Sequence, residues 1–129
     1  MARIKPVIVA DAAPPAGHYS AGVIHGGLVH VSGQLGARAD GSHTHDQDFE
    51  VQVRAALDNV LRVLAAAGCG KEDLVKVTVY LVGVENWPRF NAIYAGIMGE
   101  ARPARVVVPV PELHYGYLVE IEALAACPA

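Results

Sequence analysis

The stretch Leu74-Val75-Lys76-Val77-Thr78-Val79-Tyr80-Leu81-Val82, read together with the residues that follow it to Val108, decides the fold class. Val75, Val77, Val79 and Leu81 alternate with Lys76, Thr78 and Tyr80, the two-residue period of a strand with one buried face. The period then lengthens. Asn86 is placed to cap a helix, Pro88 falls in its first turn, and Phe90, Ile93, Tyr94 and Ile97 lie along one stripe before Gly99 closes it. After a turn at Pro103, Arg105 to Val108 reads as a strand that Pro109 and Pro111 either confine to a sheet edge or end outright.

Toward the N-terminus, Phe49, Val53, Leu57, Val60, Leu61 and Leu64 recur at helical spacing, and Gly68 suits the left-handed residue that ends such a helix. Residues 36 to 46 before it are polar and contain glycine, as a loop does. Val23 to His25 and Leu28 to Val31 flank Gly26-Gly27, a two-residue connection suited to a hairpin turn, and the second strand is expected to stop at Ser32-Gly33. A first strand lies near Ile4 to Val9, and Ala12 to Gly17 is a proline-rich loop. Leu118 to Ala125 is the last strand. The order β-β-β-α-β-α-β-β predicts an α+β fold, a mixed β-sheet with two helices packed on one face. The other face then needs cover, and a partner subunit is the simplest one.

Composition narrows the function classes. A chain of 129 residues predicts one domain over residues 1–129, with 53% hydrophobic and 18% charged residues excluding a disordered chain. The charged share falls below the roughly 25% usual for globular domains, as it would if part of the surface faced another copy. Ten Lys and Arg against thirteen Asp and Glu, a net charge of -3, leave no basic surface for a phosphate backbone, so no nucleic-acid partner is expected. Apolar runs such as Val60 to Ala67, interrupted by Arg62, fall short of the roughly 20 residues of a membrane span. Arg3, Lys5 and Asp11 bracket too few apolar residues for a signal peptide. A cytoplasmic protein without a membrane partner is expected, and Cys69 and Cys127, with no CxxC spacing, read there as reduced thiols.

Few residues suggest chemistry on their own. Arg105 beside Val106, Val107 and Val108 is either a strand-end arginine with its head in water or a guanidinium held to bind a carboxylate bidentately. Glu120 and Glu122 share one strand face, which is either solvated or places a general base near a substrate. His43 and His45 beside Asp46 and Asp48 sit in a polar loop with poorly separated ligands, and no metal is assigned. Tyr19, Tyr115 and Tyr117 fall in loops or strand ends, where pocket-lining and interface roles are equally open.

The segments Gly17-His18-Tyr19-Ser20, Val31-Ser32-Gly33-Gln34, Leu57-Asp58-Asn59-Val60, Phe90-Asn91-Ala92-Ile93-Tyr94, Pro103-Ala104-Arg105 and Val119-Glu120-Ile121-Glu122-Ala123 resemble, in this order, the RidA (YjgF) family of reactive-intermediate deaminases. The resemblance spans about residues 4 to 126. It implies a chorismate-mutase-like fold assembled as a homotrimer, with active sites in the clefts between subunits. It also implies hydrolysis of enamine and imine intermediates such as 2-aminoacrylate to 2-keto acids and ammonia, with no cofactor. By position, Arg105 would bind the carboxylate of a small-molecule substrate, Tyr19 would line the site, and Glu120 would position or activate the attacking water. Gly33 would offer backbone contact and Asn91 would support the cleft. Many members carry Cys where this chain has Val107, an apolar wall that bears on substrate preference. His114, Tyr115 and Tyr117 are expected to give this chain its own rim. A pathway-specific deaminase of a larger imine and a non-catalytic keto-acid-binding trimer are the competing readings.

Overall fold

The computed structural model describes residues 3–126. Its strands are β1 (Lys5–Val7), β2 (Gly22–His25), β3 (Leu28–Gln34), β4 (Leu74–Val82), β5 (Ala104–Val110) and β6 (Val119–Ala126). The helices are α1 (Phe49–Ala66) and α2 (Trp87–Met98). The strands form one mixed sheet in the order β1-β2-β3-β6-β4-β5, in which only β4 and β5 run parallel. This is the predicted α+β architecture and element order.

The turn between β2 and β3 is made by Gly26 (φ 59) and Gly27 (φ 77), both left-handed, which matches the twist of the two strands it joins. Gly68 (φ 83) follows the end of α1 as expected. One hydrophobic cluster joins Val53, Leu57 and Leu64 of α1, Phe90, Ile93 and Met98 of α2, and the sheet residues that alternate with the polar ones. Both helices therefore pack on the face that carries Val29, Val77, Val79, Val119 and Ile121. The opposite face presents His30, Lys76, Thr78, Tyr80, Glu120 and Glu122, each half-buried or exposed. Among the described residues no helix is long and apolar enough to cross a membrane.

Several local expectations are corrected. Strand β3 does not stop at Ser32-Gly33 but runs to Gln34, because a register shift between Val31 and Gln34 absorbs an extra residue and pairing resumes at Ile121. Val75 breaks the alternation of β4 and is 45% exposed, since a second register shift, between Leu74 and Lys76, turns it away from the core. Of the two readings of Pro109, the sheet edge holds and the strand end does not. Pro109 lies within the strand opposite Leu81, and β5 is a sheet edge, where a missing N–H is tolerated. Asn86 makes no side-chain cap: its backbone is already helical in the short 3-10 turn Val84–Asn86, and its Nδ2 donates to Val82 O at 2.9 Å. The first strand is shorter than Ile4 to Val9. Cys69 is half-buried, with its Sγ 3.9 Å from Ala126 O, and Cys127 lies outside the described residues.

One buried side chain ties loop, helix and sheet together. Gln52 of α1 is 1% exposed. Its Nε2 donates to His45 O and Gln47 O, each at 3.1 Å, and its Oε1 accepts the Leu118 N–H at 2.9 Å, just before β6. Gln52→Leu preserves the volume but leaves these backbone groups without their partner, so denaturant titration should show a loss of about 3 kcal/mol. A loss below about 0.5 kcal/mol would mean that the three contacts are replaced by water at no cost.

Candidate active site

The sequence-predicted residues divide into two groups. Arg105 stands at the second position of β5, opposite Val77, and so points to the helix side of the sheet. There its NH1 donates to Asn91 Oδ1 at 3.0 Å, and its Cζ lies 4.9 Å from the Tyr94 ring centre and 5.9 Å from that of Phe90. Asn91 and Tyr94 are three residues apart on α2 and therefore neighbours on its surface. The aromatic faces attract the guanidinium and Asn91 fixes its plane, while a guanidinium has more donors than one amide oxygen can fill. The half-buried Arg105 is thus braced and still has N–H groups to offer an anion. Val107 shares this face of β5, opposite Val79, and packs against the core. Burial raises the Tyr94 phenol pKa, an effect that the charge of Arg105 opposes, and the Tyr94 hydroxyl is buried without a hydrogen-bond partner.

Tyr19, Gly33 and Glu120 form the second group, in an open groove of about 1310 Å³. The loop carrying Tyr19 is fastened to β3: Ser32 Oγ donates to Ser20 O at 2.6 Å and Ser32 N–H donates to Ala21 O at 3.0 Å. This leaves the Tyr19 ring 53% exposed at the groove. On the groove's α1 side, Asn59 Nδ2 donates to Leu35 O and Ala37 O at 3.0 and 2.6 Å, and Arg62 donates to Asn59 Oδ1 at 2.9 Å. Gly33 approaches Glu120 so closely that a Cβ there would lie 2.7 Å from Oε2. Burial pushes the Glu120 carboxyl above its ordinary pKa, the charge of His114 pulls it down, and that of Glu122 pushes it up further. Next to it on the sheet, the Tyr80 hydroxyl donates to Glu122 Oε1, and this bond, with burial and the two carboxylates, raises the Tyr80 pKa. A bare backbone, a phenol and a carboxyl that holds its proton more tightly than usual suit proton transfer to or from a bound water.

Within one copy the two groups do not meet. Arg105 is in register with Val77 and Ala123 on the helix side, whereas Glu120 is in register with Tyr80 and Val108 on the opposite side. The sequence also left parts of the groove unidentified. His114 and Tyr115 line it as expected, but Tyr117 is 1% exposed and structural: its hydroxyl accepts the Thr44 N–H at 3.0 Å and shares a 2.8 Å hydrogen bond with His43 Nδ1. His43, in the polar loop to which no metal is assigned, lines the groove with its ring 4.4 Å from that of Tyr115. Sequence spacing carried no signal for a contact between residues 43 and 117. Among the described residues no cluster of three or more His, Cys, Asp or Glu is arranged to hold a metal.

The endoribonuclease L-PSP family model matches residues 10–127. A RutC family protein of Pyrococcus horikoshii is 37% identical over 123 residues, covering 95% of this chain and 98% of that protein. The crystal structure of the Escherichia coli YjgF gene product is similar with a TM-score of 0.89 at 32% identity, over 96% of this chain and 99% of that one. The structure of YyfA from Yersinia pestis, of the Rid protein family, has a TM-score of 0.86 at 32% identity, over 95% and 98% of the two chains.

The raised Glu120 pKa carries a pH signature. A carboxyl that titrates higher in the folded chain than the ordinary 4.5 favours folding while protonated, so its contribution is complete below that value and lost as pH rises through the folded pKa. Glu120→Gln never ionises and should gain stability relative to the unsubstituted chain as pH rises from about 4 to about 8. Parallel denaturant titrations across that range measure the difference, and a difference independent of pH would show that Glu120 titrates normally.

Proposed function

The chain belongs to the endoribonuclease L-PSP family, that of the RutC, YjgF and Rid proteins, and on that premise we propose that it is a cytoplasmic deaminase hydrolysing imine and enamine intermediates of 2-aminoacrylate type to 2-keto acids and ammonia. The observation that carries this reading is the division of the site: a braced guanidinium on the helix side of the sheet and, on the other, a carboxyl whose pKa is raised by burial. The two can serve one substrate if two copies of the chain meet, with β5 and α2 of one copy beside the groove of the next. The uncovered sheet face, on which Val106 is 41% exposed, supports such an assembly, and a homotrimer closes it as a ring of identical heterologous contacts.

In that cleft Arg105 takes the substrate carboxylate through paired hydrogen bonds, and Asn91 sets the angle of the fork. An imine carbon is already electrophilic, so the reaction needs orientation and proton transfer and invokes no cofactor. Water attacks the carbon as Glu120 accepts its proton, forming a carbinolamine. Glu120 returns that proton to nitrogen, and as the keto oxygen forms the hydroxyl proton passes by way of Glu120 to the same nitrogen, so that the C–N bond breaks with its electron pair leaving on neutral ammonia. Tyr19 closes the groove over the reacting end, and Gly33 keeps the space beside the carboxylate open. The net charge of -3 weighs against RNA as the substrate that the family model's name describes.

Arg105→Ala should lower kcat/KM for in situ generated 2-aminoacrylate by about a hundredfold or more while the circular dichroism spectrum is kept, and Arg105→Lys should recover little of it. Mixed assemblies give a sharper result. Arg105→Ala and Glu120→Gln copies, each inactive alone, should on refolding together regain about a quarter of the rate, because each cleft draws its halves from two copies. No recovery on mixing would place both residues in one copy's site, against the division described. Tight binding of pyruvate with no accelerated imine loss would identify a keto-acid-binding assembly instead of an enzyme.

A further inference from the structure

Tyr115 is the one non-glycine residue with positive φ among those described (φ 63, ψ 7), and it is followed by Gly116 at φ 79. A residue with a Cβ rarely holds that conformation, and such outliers cluster at functional positions. Here the conformation turns an aromatic ring outward, 57% exposed, at the groove that contains Glu120. The ring does not hang free. It lies 4.4 Å from the His43 ring at 35°, and 6.4 Å from the Tyr117 ring at 86°. His43 is itself held by the buried Tyr117 hydroxyl, which also receives the Thr44 N–H. The exposed aromatic surface is therefore rigidly mounted, and Tyr19 stands on the same groove.

We propose that Tyr115 and His43 form a stacking shelf for the side chain of the substrate, and that this chain prefers imines and keto acids with an aromatic side chain over the alanine-derived ones. The inference rests on the deaminase reading for turnover but not for binding. A planar side chain offset-stacked on a pre-positioned ring gains contact area without ordering a flexible group. The backbone strain at residue 115 is then the cost of presenting the ring, since a glycine there would hold the same turn without it.

The test compares imines made in situ from phenylalanine and from alanine by an amino-acid oxidase, with loss of imine followed against the uncatalysed rate. The unsubstituted chain should favour the phenylalanine-derived imine. Tyr115→Gly, which removes the ring and accepts the left-handed backbone, should fold with an undiminished Tm and reduce the phenylalanine-to-alanine ratio of kcat/KM about threefold to tenfold. Tyr115→Phe should keep the ratio, because the ring and not the hydroxyl stacks. An unaltered ratio in Tyr115→Gly, or an equal loss on both imines, overturns the shelf. If neither imine is hydrolysed, the deaminase reading fails separately, and calorimetric titration with phenylpyruvate and pyruvate decides the shelf. Tighter phenylpyruvate binding that Tyr115→Gly abolishes supports it, and equal binding of the two acids refutes it.

Discussion

Strand β6 hydrogen-bonds to β3 on one side and to β4 on the other, and the two-residue period of that central strand constrains everything else. Val119, Ile121, Ala123 and Ala125 go to the helices and are buried; Glu120 and Glu122 must then go to the other face. The same rule carried through β4 to β5 sends Arg105 to the helix side. No side-chain rotation carries a group through a hydrogen-bonded sheet. A site that uses both Arg105 and Glu120 is consequently a matter of geometry between copies, which connects the proposed chemistry to the uncovered face of the sheet.

Each half is positioned by contacts that fit its chemistry. A guanidinium over aromatic faces keeps its charge and its in-plane donors, so bracing Arg105 with Tyr94 and Phe90 does not use up the groups that would hold a carboxylate. Glu120 is treated in the opposite way: partial burial and the nearby Glu122 make its charge less comfortable, and Gly33 leaves room beside it. One residue is favoured as a permanent ion and the other as a group that exchanges a proton.

Most of the fold was legible in the sequence because it follows from short-range pattern. The Gly26-Gly27 turn, the Phe49 to Leu64 stripe and the alternation of Val77, Val79 and Leu81 each involve residues close in the chain. The register shift after Val31 and the outward turn of Val75 were not legible, since each depends on how two separate strands align. The same holds at the site. Its candidate residues follow from family resemblance, since spacing alone also fits a strand-end Arg105 with its head in water and a solvated face carrying Glu120. That Asn91 touches Arg105, that Tyr117 is buried and that His43 stacks on Tyr115 are tertiary contacts, the last two across some 70 residues of chain.

The place of β6 also bears on how the chain reaches its structure. β6 follows the other strands in chain order yet lies between β3 and β4, so during synthesis the β1-β2-β3 meander and the β4-α2-β5 crossover wait as separate pieces with open hydrogen-bonding edges. Only when residues 119 to 126 leave the ribosome can one strand bridge them. The nascent chain therefore carries its most adhesive surfaces until β6 has emerged, and collapse should be late and governed by long-range closure, the regime in which holding chaperones matter most.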